Sequence, residues 1–411
     1  MAKRSDGSPP QSAVAGSRYD RTARARAKRG RRRRRTASMV ALGVLVAIGA
    51  IVLLVSSPLW HNMFGAPDDY RGDGKRDVLV QVHPGDSTGV IAQTLVDSHV
   101  IATAEKFLEA ARGNDAIAAI QPGFYRLRTE IPSATAVAKL THPDNRVGKL
   151  IVPEGRQLDD ITYIKTGEVT EGIFTLISRA SCVNLDDETR CVSADDLKTA
   201  AGSVPMDALK VPDWATARVQ AMGSDHRRIE GLIAPGTWNV DPSATPEQIL
   251  AALIEAGTAH YTDGGLLDTA NALNMSPYDV LVVGSLVQKE AKPDDFAKVA
   301  RVIYNRLAEP QRLEFDSTVN YPLDRQEIAT TDADRAQITP WNTYASDGLP
   351  ATPIGSPGDP ALEAAEHPAP GDWLYFVTID DEGTTLFTRD YHQHLANIEL
   401  AKHNGVLDSA R

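Results

Sequence analysis

The chain has 411 residues, 42% of them apolar, and a formal net charge of −11. This length suits two or three domains, and the ordinary apolar share excludes a chain too polar to build a core. The charge is divided unevenly, because residues 1–36 hold thirteen Lys or Arg and two Asp and sum to +11, which leaves −22 for the other 375 residues. A basic tail before an acidic body is typical of a protein whose tail faces a membrane.

An apolar stretch follows this tail. Ala37 to Val55 carries no charge and comes soon after the arginine run 31–35, and its length nearly spans a bilayer core. We therefore predict a disordered cytoplasmic tail over 1–36, a transmembrane helix over 37–60 in the inner (cytoplasmic) membrane, and an extracytoplasmic body. A cleaved signal peptide is the alternative. The position of the tail favours anionic lipids as its partner over nucleic acid.

The body should have an α+β fold. After a polar linker over 61–76, a strand at Val78–Val82 and a helix capped by Ser87 begin a compact α+β module over 77–160. A second strand-and-turn at 150–155 partly repeats the first, and a short helix is expected from Leu158. A variable helical insertion over 161–228 follows, then a mixed α/β domain over 229–404 and a tail over 405–411.

Two cysteines, Cys182 and Cys191, lie in the insertion. In an exported domain such a close pair predicts a disulfide that closes a small loop, with two free thiols as the alternative. The pair lacks the spacing of a metal site.

The stretch from Ser276 to Leu307 predicts two consecutive helices. Ser276 and Pro277 suit the start of the first, Lys292-Pro293 interrupts, and apolar residues recur at three- and four-residue steps in the second. Glu290 closes the first, mostly apolar helix. It is a candidate for chemistry, and a solvated helix end is the alternative.

The rest of the 229–404 domain contains a long loop region at 309–359, a hairpin at 373–388 and a last helix that bears His392 and His394. The chain has no phosphate loop, zinc-protease motif or nucleophile elbow, and an HxH pair without a third ligand is more often a surface pair. We expect no metal and no other cofactor.

Several motifs occur in an order that resembles the YceG-like family of membrane-bound endolytic murein transglycosylases. They are 285–291 (SLVQKEA), 303–307 (IYNRL), 313–319 (LEFDSTV), 341–344 (WNTY), 348–350 (GLP), 353–354 (PI), 364–368 (AAEHP) and 374–377 (LYFV). The resemblance covers roughly residues 77–404. It implies that 77–160 is a LysM-like subdomain and that 229–404 is the catalytic domain.

The resemblance also implies an activity: lytic cleavage of the bond between N-acetylmuramic acid and N-acetylglucosamine inside peptidoglycan strands, with 1,6-anhydro ends as products. Peptidoglycan strands and the synthases that polymerise them would be the partners, and cleavage would end the elongation of nascent strands. Glu290 matches the catalytic glutamate, whereas Gln288 replaces another glutamate of the motif. A muramidase with Asp316 as a second carboxylate, and a non-catalytic wall-binding scaffold, are the alternatives.

Substrate-binding roles follow for residues around the loop region, each with a loop-tying hydrogen bond as the alternative. These candidates are Asn305, Asp316, Asn342, Thr343 and Tyr344.

Overall fold

The structure is a computed structural model, and it describes residues 69–323, 325–326 (backbone only) and 330–406. The predicted basic tail and the transmembrane helix at 37–60 lie outside the described residues. Among the residues described, no helix has both the length and the apolar character of a membrane span. The described chain combines many helices with small sheets, which confirms the α+β prediction.

The first part of the described chain has a core of its own. Strand β1 (Asp77–Val82) pairs antiparallel with β2 (Gly123–Arg128), which also pairs with β3 (Arg146–Val147). Three helices pack on this sheet and on one another: α1 (Thr88–Asp97), α2 (Ala104–Ala111) and α3 (Ser133–Thr141). Alternating side chains of the two long strands supply the core, together with Leu95, Phe107 and Val137 from the helices.

A second, larger core begins at β4 (Lys149–Val152), which pairs antiparallel with β9 (Gly236–Asn239). Between them lie β5 (Ile161–Tyr163), β6 (Val169–Thr170), α4 (Ile173–Ser181), β7 (Val183–Leu185), β8 (Glu188–Arg190), α5 (Ala194–Ser203) and α6 (Asp213–Ala221). The predicted helix from Leu158 is wrong. The carbonyls of Gln157 and Leu158 accept the first free N–H groups of α4, so this segment caps a helix instead of forming one.

The remaining elements complete the larger part of the body, and one of the helices among them ends at Glu290. They are α7 (Pro246–Asp263), α8 (Leu266–Ala272), α9 (Pro277–Glu290), α10 (Phe296–Ala308), α11 (Asp316–Asn320), β10 (Arg325–Gln326), α12 (Asp332–Arg335), α13 (Asp359–Glu366), β11 (Tyr375–Thr378), β12 (Thr385–Thr388) and α14 (Tyr391–His403). Helix α9 packs against α10 and α13, and β11 and β12 form the predicted hairpin. The long 309–359 region is a loop interrupted by short helices.

A small hairpin connects the two parts of the body. Strands β7 and β8 pair antiparallel, and a disulfide joins Cys182 and Cys191 at their base. At its tip, the backbone amide of Asp186 donates to the Asp77 carboxylate (3.0 Å), and the amide of Asp77 donates to the Asp186 carboxylate (2.8 Å). The cysteine-closed loop therefore reaches the first strand of the smaller core.

Candidate active site

Local sequence places Glu290 at the end of a buried helix. The Ser276 hydroxyl accepts from the backbone amide of Asp279 (3.0 Å) and caps the start of α9. Residues 280–287 are buried without interruption, and the chain leaves the helix at Ala291 in an extended conformation. Glu290 itself is only partly buried. The helix thus presents one carboxyl at the border between the core and solvent.

The surroundings of Glu290 favour its protonated form. Burial raises the pKa of the Glu290 carboxyl to about 7, because the charged form loses hydration. The hydroxyl and the backbone amide of Ser317 lie near the carboxyl and lower this pKa, whereas the negative charge of Asp316 raises it and the Arg306 guanidinium lowers it. Glu290 can therefore be protonated at neutral pH and can also ionise, as a general acid and base must.

Helix α11 brings Asp316 and Ser317 to this carboxyl. Both oxygens of Asp316 are occupied: Oδ1 accepts from the hydroxyls of Tyr344 (2.8 Å) and Thr330 (2.7 Å), and Oδ2 accepts from Nη2 of Arg335 (3.1 Å). Arg335 also lies over the Tyr344 ring, 5.1 Å from its centroid. Asp316 thus organises the loop beside Glu290.

Tyr344 belongs to the same cluster. Burial first, and then the charges of Asp316 and Glu290, raise the pKa of its hydroxyl. The hydroxyl therefore keeps its proton and donates a hydrogen bond to Asp316. Of the predicted substrate-binding residues, Asp316 acts on Glu290 through its charge, and the Tyr344 hydroxyl is affected by the charge of Glu290.

Asn342 and Thr343 are buried, and the fold uses their polar groups. The Asn342 amide donates to the carbonyl of Gln337 (2.6 Å), and its oxygen accepts from the backbone amide of Tyr344 (2.9 Å). The Thr343 hydroxyl lies 2.9 Å from that of Thr318 on α11. These contacts fix the loop that carries Tyr344 against α11. Their predicted contact with substrate stays a prediction.

Asn305 lies on α10, on another side of the site. Its amide donates to the backbone carbonyl of Trp373 (2.9 Å) and holds the segment before β11. Within the part of the chain that the structure describes, no contact joins Asn305 to Glu290 or Asp316.

Sequence reasoning missed Arg306 and Ser317. Arg306 is buried, and its guanidinium donates to the backbone carbonyls of Leu313 (2.5 Å) and Leu374 (2.6 Å), so it ties the loop before α11 to the hairpin. The sequence did carry one signal for Arg306, because it lies on the apolar side of its helix. A charged side chain at such a position is buried only when it has hydrogen-bonding or charged partners. Nothing in the spacing distinguished Ser317 from any other helix-start serine.

Gln288 has a structural partner. Its side-chain oxygen accepts from the backbone amide of Gly358 (3.0 Å), just before α13. A carboxylate at this position could accept the same bond, so glutamine is compatible with this geometry.

The sequence profile of the YceG-like family matches residues 80–400. The chain belongs to this family. An endolytic murein transglycosylase of Bacillus subtilis is 29% identical over 325 residues, which cover 78% of this chain and 84% of the relative. One of Streptococcus pneumoniae is 27% identical over 293 residues, so the match covers 68% of this chain but only 50% of that relative's length.

A crystal structure of a yceG-like protein from Listeria monocytogenes is also similar. It has 25% sequence identity, the match covers 78% of this chain and 98% of that one, and the TM-score is 0.47.

Proposed function

We propose that this chain is a peptidoglycan lytic transglycosylase. It would cut the bond between N-acetylmuramic acid and N-acetylglucosamine within glycan strands and end the elongation of nascent strands. The observation that carries the proposal is the partly buried carboxyl of Glu290. Its pKa is raised to about 7, chiefly by burial. The relatives named endolytic murein transglycosylases support the substrate class and the reaction.

A single carboxyl is sufficient for this reaction. Protonated Glu290 donates its proton to the glycosidic oxygen as the bond between that oxygen and C1 of the muramic acid breaks. The C6 hydroxyl of the same sugar then attacks C1 and gives its proton to the Glu290 carboxylate, which restores the acid. Because nucleophile and electrophile belong to one sugar, the attack has a high effective concentration and needs no second carboxylate.

The contacts of Asp316 support this single-acid reaction. Its two oxygens already accept hydrogen bonds from Tyr344, Thr330 and Arg335, so it has little capacity left to activate a water. We propose that Tyr344 and Asp316 border the bound sugar, and that Asn305, Asn342 and Thr343 act mainly by holding the neighbouring loops.

A muramidase is the second candidate, since the charge of Asp316 is felt by Glu290. In that reaction a water molecule, activated or replaced by Asp316, would leave reducing ends.

The decisive experiment compares Glu290→Gln with the unaltered chain on purified glycan strands and analyses the products by mass spectrometry. We expect anhydro ends from the unaltered chain and a loss of at least about a hundredfold in rate for the variant. Glu366→Gln is the matched control, because Glu366 is another buried carboxyl with a raised pKa but lies on α13. Reducing ends alone would favour the muramidase, and equal rates for Glu290→Gln would remove this carboxyl from the chemistry.

We further propose that residues 77–160 form a LysM-like subdomain that binds glycan. The β1-α1-α2-β2 order and the antiparallel β1–β2 pair support this. A cavity of about 420 Å³ lies between these strands and α7, and it combines the rings of Phe124 and Trp238 with the amides of Gln81 and Asn239. Aromatic faces and amides are the groups that bind sugar rings and acetamido groups.

Sedimentation with intact cell walls tests this binding role. The Glu290→Gln protein should sediment with the walls, because it binds without cutting, and adding Trp238→Ala should release it. Unchanged sedimentation of the double variant would argue against the cavity as a glycan site.

For placement, we propose a single-pass anchor over 37–60 in the cytoplasmic membrane, with the basic tail on anionic lipids and the catalytic domain outside, near peptidoglycan synthases. The uncharged stretch and the arginine run support it. Protease added to intact spheroplasts should degrade the body and spare the tail. Release of the whole chain by high salt would contradict an anchor.

A further inference from the structure

A second carboxyl with a raised pKa lies behind the site. Glu230 is 1% exposed, and it belongs to the stretch 228–238 that the proposed reaction does not use. Its Oε2 atom accepts from the hydroxyl of Tyr321 (2.7 Å) and from the backbone amide of Leu158 (3.1 Å). Its Oε1 atom is buried and has no hydrogen-bond partner among the described residues. Burying a carboxyl costs free energy, so the presence of Glu230 in the core calls for a physical explanation.

Tyr321 connects this carboxyl to the active site. It is buried directly after α11, and its backbone amide donates to the carbonyl of Ser317 (3.0 Å). Its ring meets that of Trp341 at 5.3 Å, so hydroxyl, ring and backbone are all held. Helix α11 has five residues and is about 7 Å long, so a shift of Tyr321 is transmitted to Ser317 beside Glu290.

We propose that Glu230 is a positioning residue for the reaction: through Tyr321 it holds α11 so that Ser317 and Asp316 stand against the Glu290 carboxyl. This inference rests on the proposed role of Glu290 as the acid. Glu230 itself, which is buried away from solvent, does not touch the substrate.

Glu230 can hold α11 through Tyr321 in either protonation state, and the charges around it explain why. Its pKa is raised to about 7, chiefly by burial and also by the charge of Asp159, while Tyr321, the Leu158 amide and the Lys289 ammonium act to lower it. The buried hydroxyls of Tyr261 on α7 and Tyr278 on α9 also face its charge, and they keep their protons. When Glu230 is neutral, its proton can sit on Oε1 while Oε2 still accepts both hydrogen bonds.

This geometry predicts that glutamine can replace Glu230 and that alanine cannot. Glu230→Gln keeps an acceptor oxygen for Tyr321 and Leu158, so its kcat should stay within about threefold of the unaltered chain. Glu230→Ala frees α11, and a displacement near 1 Å at a catalytic group can cost up to about a hundredfold, so kcat should fall at least about tenfold. The loss should also appear in kcat/KM, because α11 carries Asp316, which is proposed to border the sugar.

Three further measurements separate positioning from a general loss of stability. Tyr321→Phe should lower kcat in the same direction, and its effect should not add to that of Glu230→Ala, because both cut one connection. Displacement of Ser317 and Asp316 should shift the alkaline limb of the pH profile of Glu230→Ala, whereas a protein that is only less stable should keep the limb in place. Glu366→Ala, the buried-carboxyl control on α13, should leave kcat of the folded protein unchanged.

The outcomes are distinct. A folded Glu230→Ala protein with unaltered kcat would overturn the inference, as would a Glu230→Gln protein as inactive as Glu290→Gln, which would give Glu230 a proton-transfer role. If Glu230→Ala does not fold, Glu230→Gln and Tyr321→Phe still decide. Full activity of Glu290→Gln would instead mean that the proposed function itself has failed.

Discussion

Two substitutions beside Glu290 should move the pH profile of cleavage in opposite directions. The reaction needs protonated Glu290, whose pKa burial raises from an ordinary 4.5 to about 7. At pH 7 about half of the molecules then carry the proton, against about 0.3% at the ordinary value, a difference of more than about a hundredfold. The unaltered chain should therefore lose activity as the pH rises through about 7.

Ser317→Ala removes a hydroxyl that lowers the pKa of the Glu290 carboxyl and so favours its ionised form. The pKa of Glu290 should rise, and the alkaline limb should move to higher pH. The backbone amide of Ser317 remains, so the shift reports the hydroxyl alone.

Asp316→Asn acts the other way. It removes a negative charge that raises the pKa of Glu290, so the limb should move to lower pH. An asparagine oxygen can still accept from Tyr344 and Thr330, so these two ties of the loop remain while the bond from Arg335 to Oδ2 is lost.

The assay is kcat/KM for glycan cleavage between about pH 5 and 9, because this ratio reports the pKa values of the free enzyme. Glu366→Gln serves as the control and should leave the limb in place. Shifts of both variants in the same direction, or no shift in either, would refute the assignment of this limb to Glu290.

Three predictions concern stability. The pKa of Glu230 is about 7 in the folded protein and 4.5 in the unfolded chain. Its contribution to the free energy of unfolding is therefore complete below about pH 4.5 and is lost as the pH rises through 7, a loss of up to about 3 kcal/mol. Glu230→Gln should flatten this pH dependence in denaturant titrations. Replacing Cys182 and Cys191 by serine should lower the free energy of unfolding by about 2.5 kcal/mol, as expected for a loop closed over nine positions. Hydrogen exchange should also rise in β1, because the hairpin contacts that strand. Unchanged exchange would contradict that contact. Asn342→Ala leaves several buried groups unpaired, so thermal unfolding should show a loss of about 3 kcal/mol, and a fully stable variant would show that the loop is held otherwise.

The sequence determined the local frame of the site. A capping serine, a proline at the first turn and an unbroken apolar run predict α9 with Glu290 at its end, and the structure has that helix over Pro277–Glu290. The hairpin at β11 and β12 is likewise confirmed. Caps, turn residues and apolar periodicity act over a few residues, so they can be read from the chain directly.

What each polar residue does was decided by the tertiary structure. Sequence position cannot show that Leu158 lies in a segment that caps α4. It also cannot show that the Asn342 amide hydrogen-bonds its own loop. Both contacts depend on partners that only folding brings close. The same holds for Glu230, which meets Tyr321 across 91 positions of chain.

Glu290 shows the division most clearly. Its place at a helix end follows from local rules, but its raised pKa follows from burial and from charges on other elements, and desolvation and Coulomb interactions act through space.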